Sequence, residues 1–248
     1  MNHKAYIRIV PGAETAILFV HGILGSPRHF DMFLPLIPDN ISAYALLLPG
    51  HGKGVKDFSD SSMDVWIRCV DDAVEELLRS HKRVLMVAHS MGTLFSIQQA
   101  VKRPEGICGL FLLAAPLKLF IKPAMVANVL KLYLNKIDPA KPKELATKTA
   151  CSIIIDKRFW LYFSWIPRYL ELFRQISATG RIAEKVQQPC WAYQSKQDEM
   201  VALSAGKILR KIPGIRLNIL LNSSHYYYEP VDREYLLSQF REFLKEML

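Results

Sequence analysis

Short runs in which every position is apolar recur along the chain, each closed by a glycine-rich or polar turn. Ala16–Val20 ends at His21-Gly22, Ala43–Leu48 at Pro49-Gly50-His51-Gly52, Val84–Ala88 at His89-Ser90, and Leu110–Ala115 at Pro116. Unbroken apolarity, rather than alternation, predicts strands buried on both faces of a parallel sheet. Two later stretches, Cys190–Tyr193 and Ile215–Leu221, look like two more strands. The stretches between are amphipathic. Trp66, Val70, Val74 and Leu77 recur at helical spacing behind Ser62, a candidate N-cap, and Leu94, Ile97 and Val101 do so before Pro104. Leu236, Phe240, Phe243 and Met247 define a closing helix. Strands alternating with helices predict an α/β fold with a mostly parallel sheet.

Residues 117–187 interrupt this rhythm. A helix opens at Pro123, with Val126, Val129, Tyr133 and Ile137 at helical spacing, and a basic, proline-containing stretch follows from Asp138 to Lys143. An aromatic-rich segment comes next, and Pro167 starts another helix that ends near Gly180. With no convincing strand, the segment reads as a helical insertion over the edge of the sheet. Its aromatic density is wrong for disorder.

Composition narrows the class. Half of the 248 residues are hydrophobic, so the chain is globular. No apolar run approaches the ~20 residues that span a bilayer. The first residues lack the apolar stretch of a secretory signal. Four widely spaced cysteines, Cys69, Cys108, Cys151 and Cys190, form no metal-ligand or CxxC pattern and read as reduced core residues. These features predict a cytoplasmic protein. The net charge is +9. Residues 117–187 hold 13 Lys+Arg against 5 Asp+Glu, a net +8, which leaves +1 for everything else. The charge therefore describes the insertion, and with no recognisable nucleic-acid motif beside it, nucleic-acid binding is not expected.

The sharpest chemical signal is Ala88-His89-Ser90-Met91-Gly92, between a predicted strand and a predicted helix. A serine on a strained strand-to-helix turn is raised above the sheet, and small residues two before and two after it let strand and helix approach. The helix N-terminus beyond it favours developing negative charge. Serine needs a base, itself oriented by an acid. Of the seven histidines, His3 and His81 read as solvated, His89 as structural, and His21, His51 and His29 as parts of early loops. His225 lies between the last strand and the last helix, on the same sheet edge as Ser90. For the acid, Asp198 lies on a short loop after the strand Cys190–Tyr193, with Glu199 as immediate rival and Asp138 and Asp156 in the insertion. Met91 N–H and an N–H in His21-Gly22-Ile23-Leu24-Gly25, with Ile23 as its donor, are candidates for an oxyanion hole.

These residues resemble the α/β-hydrolase superfamily and, within it, the small carboxylesterases and monoacylglycerol lipases. His21-Gly22, Pro49-Gly50-His51-Gly52, Ala88–Gly92, Ala114-Ala115-Pro116, Asp198-Glu199-Met200-Val201 and Ser224-His225 carry the resemblance, in order, over about residues 15–116 and 188–247. Ala88, Ser195 and Ser224 stand where glycines are common, and none removes a functional side chain. The resemblance implies an α/β-hydrolase core of residues 1–116 and 188–248 with a helical lid at 117–187. It implies Ser90 as nucleophile, Asp198 as acid, His225 as base, and Ile23 and Met91 as oxyanion donors. The expected activity is hydrolysis of short- or medium-chain esters or monoacylglycerols, without metal or cofactor. Thioesterases, lactonases and peptidases share such a triad, and a non-catalytic binder of the same fold is the rival from another class. Phe120, Met125, Val129, Tyr133, Trp160, Phe163 and Trp165 are candidates to line the pocket. The charge of the basic lid has two readings, a solubilising polar face on its helices or a weak attraction to anionic lipid surfaces or carboxylate products.

Overall fold

A computed structural model describes residues 3–248. Seven strands form one sheet in the order β1-β3-β2-β4-β5-β6-β7. They are β1 (Tyr6–Arg8), β2 (Thr15–Val20), β3 (Ser42–Leu46), β4 (Arg83–His89), β5 (Ile107–Leu113), β6 (Cys190–Ser195) and β7 (Arg216–Leu220). Every pairing is parallel except β1 with β3, where Tyr6 opposes Ala45. The six stretches predicted as strands are the six parallel strands, five of them apolar runs and the sixth, β7, an edge strand with Arg216 and Asn218. The antiparallel β1 carries no apolar run because it is a short edge strand, exposed at Tyr6 and Ile7.

The helices are α1 (Val55–Ser59), α2 (Met63–Ser80), α3 (Met91–Lys102), α4 (Pro123–Tyr133), α5 (Pro142–Ala150), α6 (Ile166–Ile182), α7 (Gly206–Leu209) and α8 (Pro230–Met247). Ser62 caps α2, its side chain accepting from Val65 N–H at 3.3 Å. Because successive strand residues face opposite ways, each strand feeds two cores. Ala16, Leu18 and Val20 pack with Met86, Trp66, Leu94 and Ile97 on one face. Ile17 and Phe19 pack with Phe111, Phe240 and Phe243 on the other. Phe240 is fully buried, its ring 4.9 Å from Phe33 and 5.2 Å from Phe111.

Residues 117–187 form α4, α5, a 3-10 segment at Phe159–Trp165, and α6. Helix α5 starts at Pro142, inside the basic stretch that gave no apolar periodicity. The second half of the segment packs on the sheet's own helices: α6 buries Leu172, Thr179 accepts a 2.6 Å hydrogen bond from Gln98 of α3, and Glu171 accepts one from Met63 N–H at the start of α2. The first half is more open, and α4 buries only Met125. Among the described residues no helix is long and apolar enough to cross a membrane. The four cysteines are free, and only Cys190 is fully buried.

Phe240→Ala removes a ring that fills the space between Phe33 and Phe111. It should lower the unfolding free energy by about 3–5 kcal/mol, read as a shift in the urea midpoint at unchanged slope.

Candidate active site

Ser90 lies between β4 and α3 with φ 51° and ψ −125°. This backbone costs a residue with a side chain about 1–3 kcal/mol, so its surroundings must hold it there. Ser90 N–H donates to the Leu113 carbonyl at 2.9 Å, and the Ser90 carbonyl accepts from Thr93 N–H at 2.9 Å and Thr93 Oγ1 at 2.7 Å. Helix α3 begins directly against the end of β2. A Cβ on Gly92 would sit 2.1 Å from the Val20 carbonyl oxygen and 2.8 Å from that of His21. Gly22 is held as tightly on the other side, since a Cβ there would meet Ser90 Cβ at 2.8 Å.

His225 follows β7 on the same edge of the sheet. Its Nδ1 is 2.8 Å from Asp198 Oδ2, and both side chains are buried. The other carboxylate oxygen, Oδ1, accepts from Met200 N–H and Val201 N–H, each at 2.7 Å. Burial works against ionisation of Asp198, but His225 and these two N–H groups outweigh it and hold the carboxyl below its usual range. An anionic acceptor there keeps the ring proton on Nδ1. Nε2 of His225 is buried and has no hydrogen-bond partner among the described residues. Glu199, the rival acid, contacts the same residue differently, accepting from His225 backbone N–H at 3.0 Å. Asp156 is paired with Arg158 instead, and Asp138 N–H is bound to Glu144.

The His21–Gly25 loop is fixed through one carbonyl. Leu48 N–H donates to His21 Nε2 at 3.1 Å, so the ring is neutral and carries its proton on Nδ1, which donates to the Gly22 carbonyl at 2.8 Å. Gly25 N–H adds a 3.0 Å bond to that oxygen. The Gly22 carbonyl and the Ile23 N–H belong to one trans peptide, so holding the oxygen on one side aims the N–H to the other. Among the described residues neither Ile23 N–H nor Met91 N–H donates to another protein group. Leu24, with φ 57°, presents its carbonyl to Ser152, which donates from backbone N–H at 2.8 Å and from Oγ at 3.1 Å. The segment after α5 thereby crosses directly over this loop, and Ser90 is left buried.

Two positioning contacts carry no signal in the sequence. His89 Nε2 is 3.0 Å from the His225 carbonyl, with the two rings 4.8 Å apart, so the residue beside Ser90 tethers the His225 loop. Asp232, in the first turn of α8, accepts from Ser223 Oγ and Asn222 N–H, each at 2.7 Å, just ahead of His225. Only folding brings either pair together. His29 stacks on His89 at 3.7 Å, and beyond it lies a cavity of about 400 Å³ lined by His29, Leu145, Ala146, Tyr226 and Tyr228. Ser90 does not line it. Two expectations are corrected. His81 is not solvated but buried, bonded to Ser42 Oγ at 2.8 Å and to the Leu77 carbonyl at 2.9 Å. Of the aromatic and apolar candidates for a pocket wall, Phe120, Val129, Trp160 and Phe163 face solvent, while Trp165 is buried with its Nε1 on the Val55 carbonyl at 3.0 Å. Spacing marks a helix face as apolar but does not say what covers it.

Burial holds His29 down to about 3 and His21 to about 4, and keeps His51 and His89 well below the ordinary histidine range. Unfolded, each takes up a proton near pH 6.5. Between that value and the folded ones the unfolded state binds more protons, so stability must fall as the pH drops. Urea titrations should show the unfolding free energy declining from about pH 6.5 toward about pH 4, by up to about 1.4 kcal/mol per unit for each histidine. His29→Gln should flatten the decline by about one group's share.

Comparison with known proteins bears on the fold and the family. "Uncharacterized hydrolase YugF" from Bacillus subtilis is 33% identical over 97 residues, 38% of this chain and 34% of that protein, so the match spans about a third of that relative. The structure reported for the metagenome-derived lipolytic enzymes LipS and LipT superposes with a TM-score of 0.75 at 20% identity, covering 99% of this chain and 98% of that one. A monoacylglycerol lipase from Paleococcus ferrophilus superposes with a TM-score of 0.72 at 18% identity, covering 100% of both. At these identities the structural likeness shows the fold. The model of the alpha/beta hydrolase family matches residues 17–235, and this chain belongs to that family.

Proposed function

We propose that the protein is a serine hydrolase of carboxylic esters, with Ser90 as nucleophile, His225 as base and Asp198 as the acid that orients it. The observation that carries this reading is the buried His225–Asp198 pair, with Nδ1 committed to the carboxylate at 2.8 Å and Nε2 free. That ring is tethered through its backbone to the residue beside Ser90. His225 Nε2 takes the Ser90 Oγ proton as the oxygen attacks the ester carbonyl carbon. The resulting oxyanion is stabilised by the N–H groups of Ile23 and Met91. The imidazolium, held by Asp198, then protonates the leaving alcohol as its C–O bond breaks. Water attacks the acyl-serine with its proton passing to His225, and the carboxylic acid leaves as Ser90 regains its proton.

The substrates are short- or medium-chain esters or monoacylglycerols. Residues 117–187 act as the lid, and the Ser152 contacts to Leu24 tie its position to the Ile23 donor.

A fluorophosphonate probe should label the wild type at Ser90, and Ser90→Ala should abolish labelling. On p-nitrophenyl esters of increasing chain length, Ser90→Ala or His225→Ala should lower kcat by at least about four orders of magnitude, and Asp198→Asn by about four. Wild type unlabelled at Ser90 would refute the mechanism. Inactivity on all esters together with turnover of thioesters or amides would keep the mechanism and replace the substrate class.

A further inference from the structure

Five large apolar side chains, Phe159, Phe163, Ile166, Leu170 and Phe173, follow one another at spacings of four and three residues through the 3-10 segment and into α6. In α6 that spacing puts Ile166, Leu170 and Phe173 on one side of the helix, and in the 3-10 segment before it the rings of Phe159 and Phe163 lie edge-on at 6.4 Å. Each is between 49% and 64% exposed. The opposite side of α6 carries the buried Leu172 and Thr179, so this apolar side is surplus to the core. Trp160, 55% exposed, packs edge-on against Phe159. Helix α4 adds to it, with Val126, Val129 and Leu130 all more than half exposed. Its last residue joins the two stretches, Tyr133 Oη donating to the Lys157 carbonyl at 2.6 Å with its ring edge-on to Tyr162. An apolar surface of this kind on a folded chain marks something that covers it.

Charge selects the occupant. The surface lies in the segment that carries net +8. Lys136 and Arg174, exposed beside the apolar residues, make no ion pair among the described residues. A second copy of the chain would bring +8 against +8, whereas an anionic bilayer offers negative headgroups for the bases and an apolar boundary for the rings. We propose that residues 159–173 and α4 form a docking surface for anionic phospholipid membranes. Phe159, Phe163, Ile166 and Leu170 enter the headgroup boundary while the surrounding lysines and arginines meet phosphates. Docking needs no chemistry at Ser90, so it stands or falls apart from the proposed hydrolysis.

The test is co-sedimentation of the full chain with vesicles of phosphatidylcholine, alone or with about one third phosphatidylglycerol. Expected are at least about tenfold tighter binding to the anionic vesicles and about tenfold weakening at 0.5 M salt. The triple variant F159S/L170S/F173S should lose binding, and K136E/R174E should weaken it by about tenfold or more. Every substituted side chain is exposed, and circular dichroism and the urea midpoint should be unchanged in both variants. Absence of binding to anionic vesicles, equal binding to neutral ones, or salt-independent binding would overturn the proposal. So would a dimeric mass in light scattering that the triple variant converts to a monomer, which would assign the surface to a second copy.

Discussion

Helix α3 starts so close to the end of β2 that position 92 has no room for a side chain. A Cβ there would overlap the Val20 carbonyl at 2.1 Å. This packing constraint sets the sharp turn between β4 and α3, and the turn forces Ser90 into φ 51°. With the backbone pinned by Leu113 on one side and Thr93 on the other, the strained conformation is maintained by contacts outside the residue itself. The same approach brings Gly22, and with it the Ile23 peptide, against the Ser90 side chain. The other groups of the site are arranged around that one contact.

Their arrangement is achieved largely through backbone atoms. His21 sets the direction of the Ile23 N–H by holding the carbonyl of the same peptide, and His89 and Glu199 hold the carbonyl and the N–H of residue 225. Histidines suit this work when they are buried and neutral, because each then offers one fixed donor and one fixed acceptor. Burial supplies that neutrality at His21 and His89. The orientation of His225 rests on Asp198, whose carboxyl is held below its usual range by the ring it serves together with the N–H groups of Met200 and Val201.

Residues 117–187 divide by packing. Helix α6 is a layer of the core, joined to α2 and α3 through Glu171 and Thr179, while α4 and the 3-10 segment turn apolar side chains to solvent. Nearly all of the net charge lies in this same part of the chain. The rest of the chain is close to neutral.

Five of the parallel strands were legible because a strand buried on both faces is apolar along its run, and α2 and α8 were legible from spacing alone. The two edge strands carry no such requirement: β7, which includes Arg216 and Asn218, was legible only as an apolar-rich stretch, and β1 was not legible. Ser90, Asp198 and His225 were legible as loop residues after predicted strands, because a parallel sheet places those loops on one edge. Asp198 was preferred to Glu199 on the sequence and its resemblance, but what Glu199 does instead belonged to the tertiary structure: only the fold points one carboxylate at the ring and the other at the backbone. The roles of His89, Asp232 and Ser152 were decided there too, since their partners lie 136, 9 and 128 residues away in the chain. The sequence by itself determined which elements form and which loops carry chemistry, because burial and periodicity are local in their demands. Which atoms meet, and which apolar faces stay uncovered, only the tertiary structure decided, because contact depends on where distant segments come to rest.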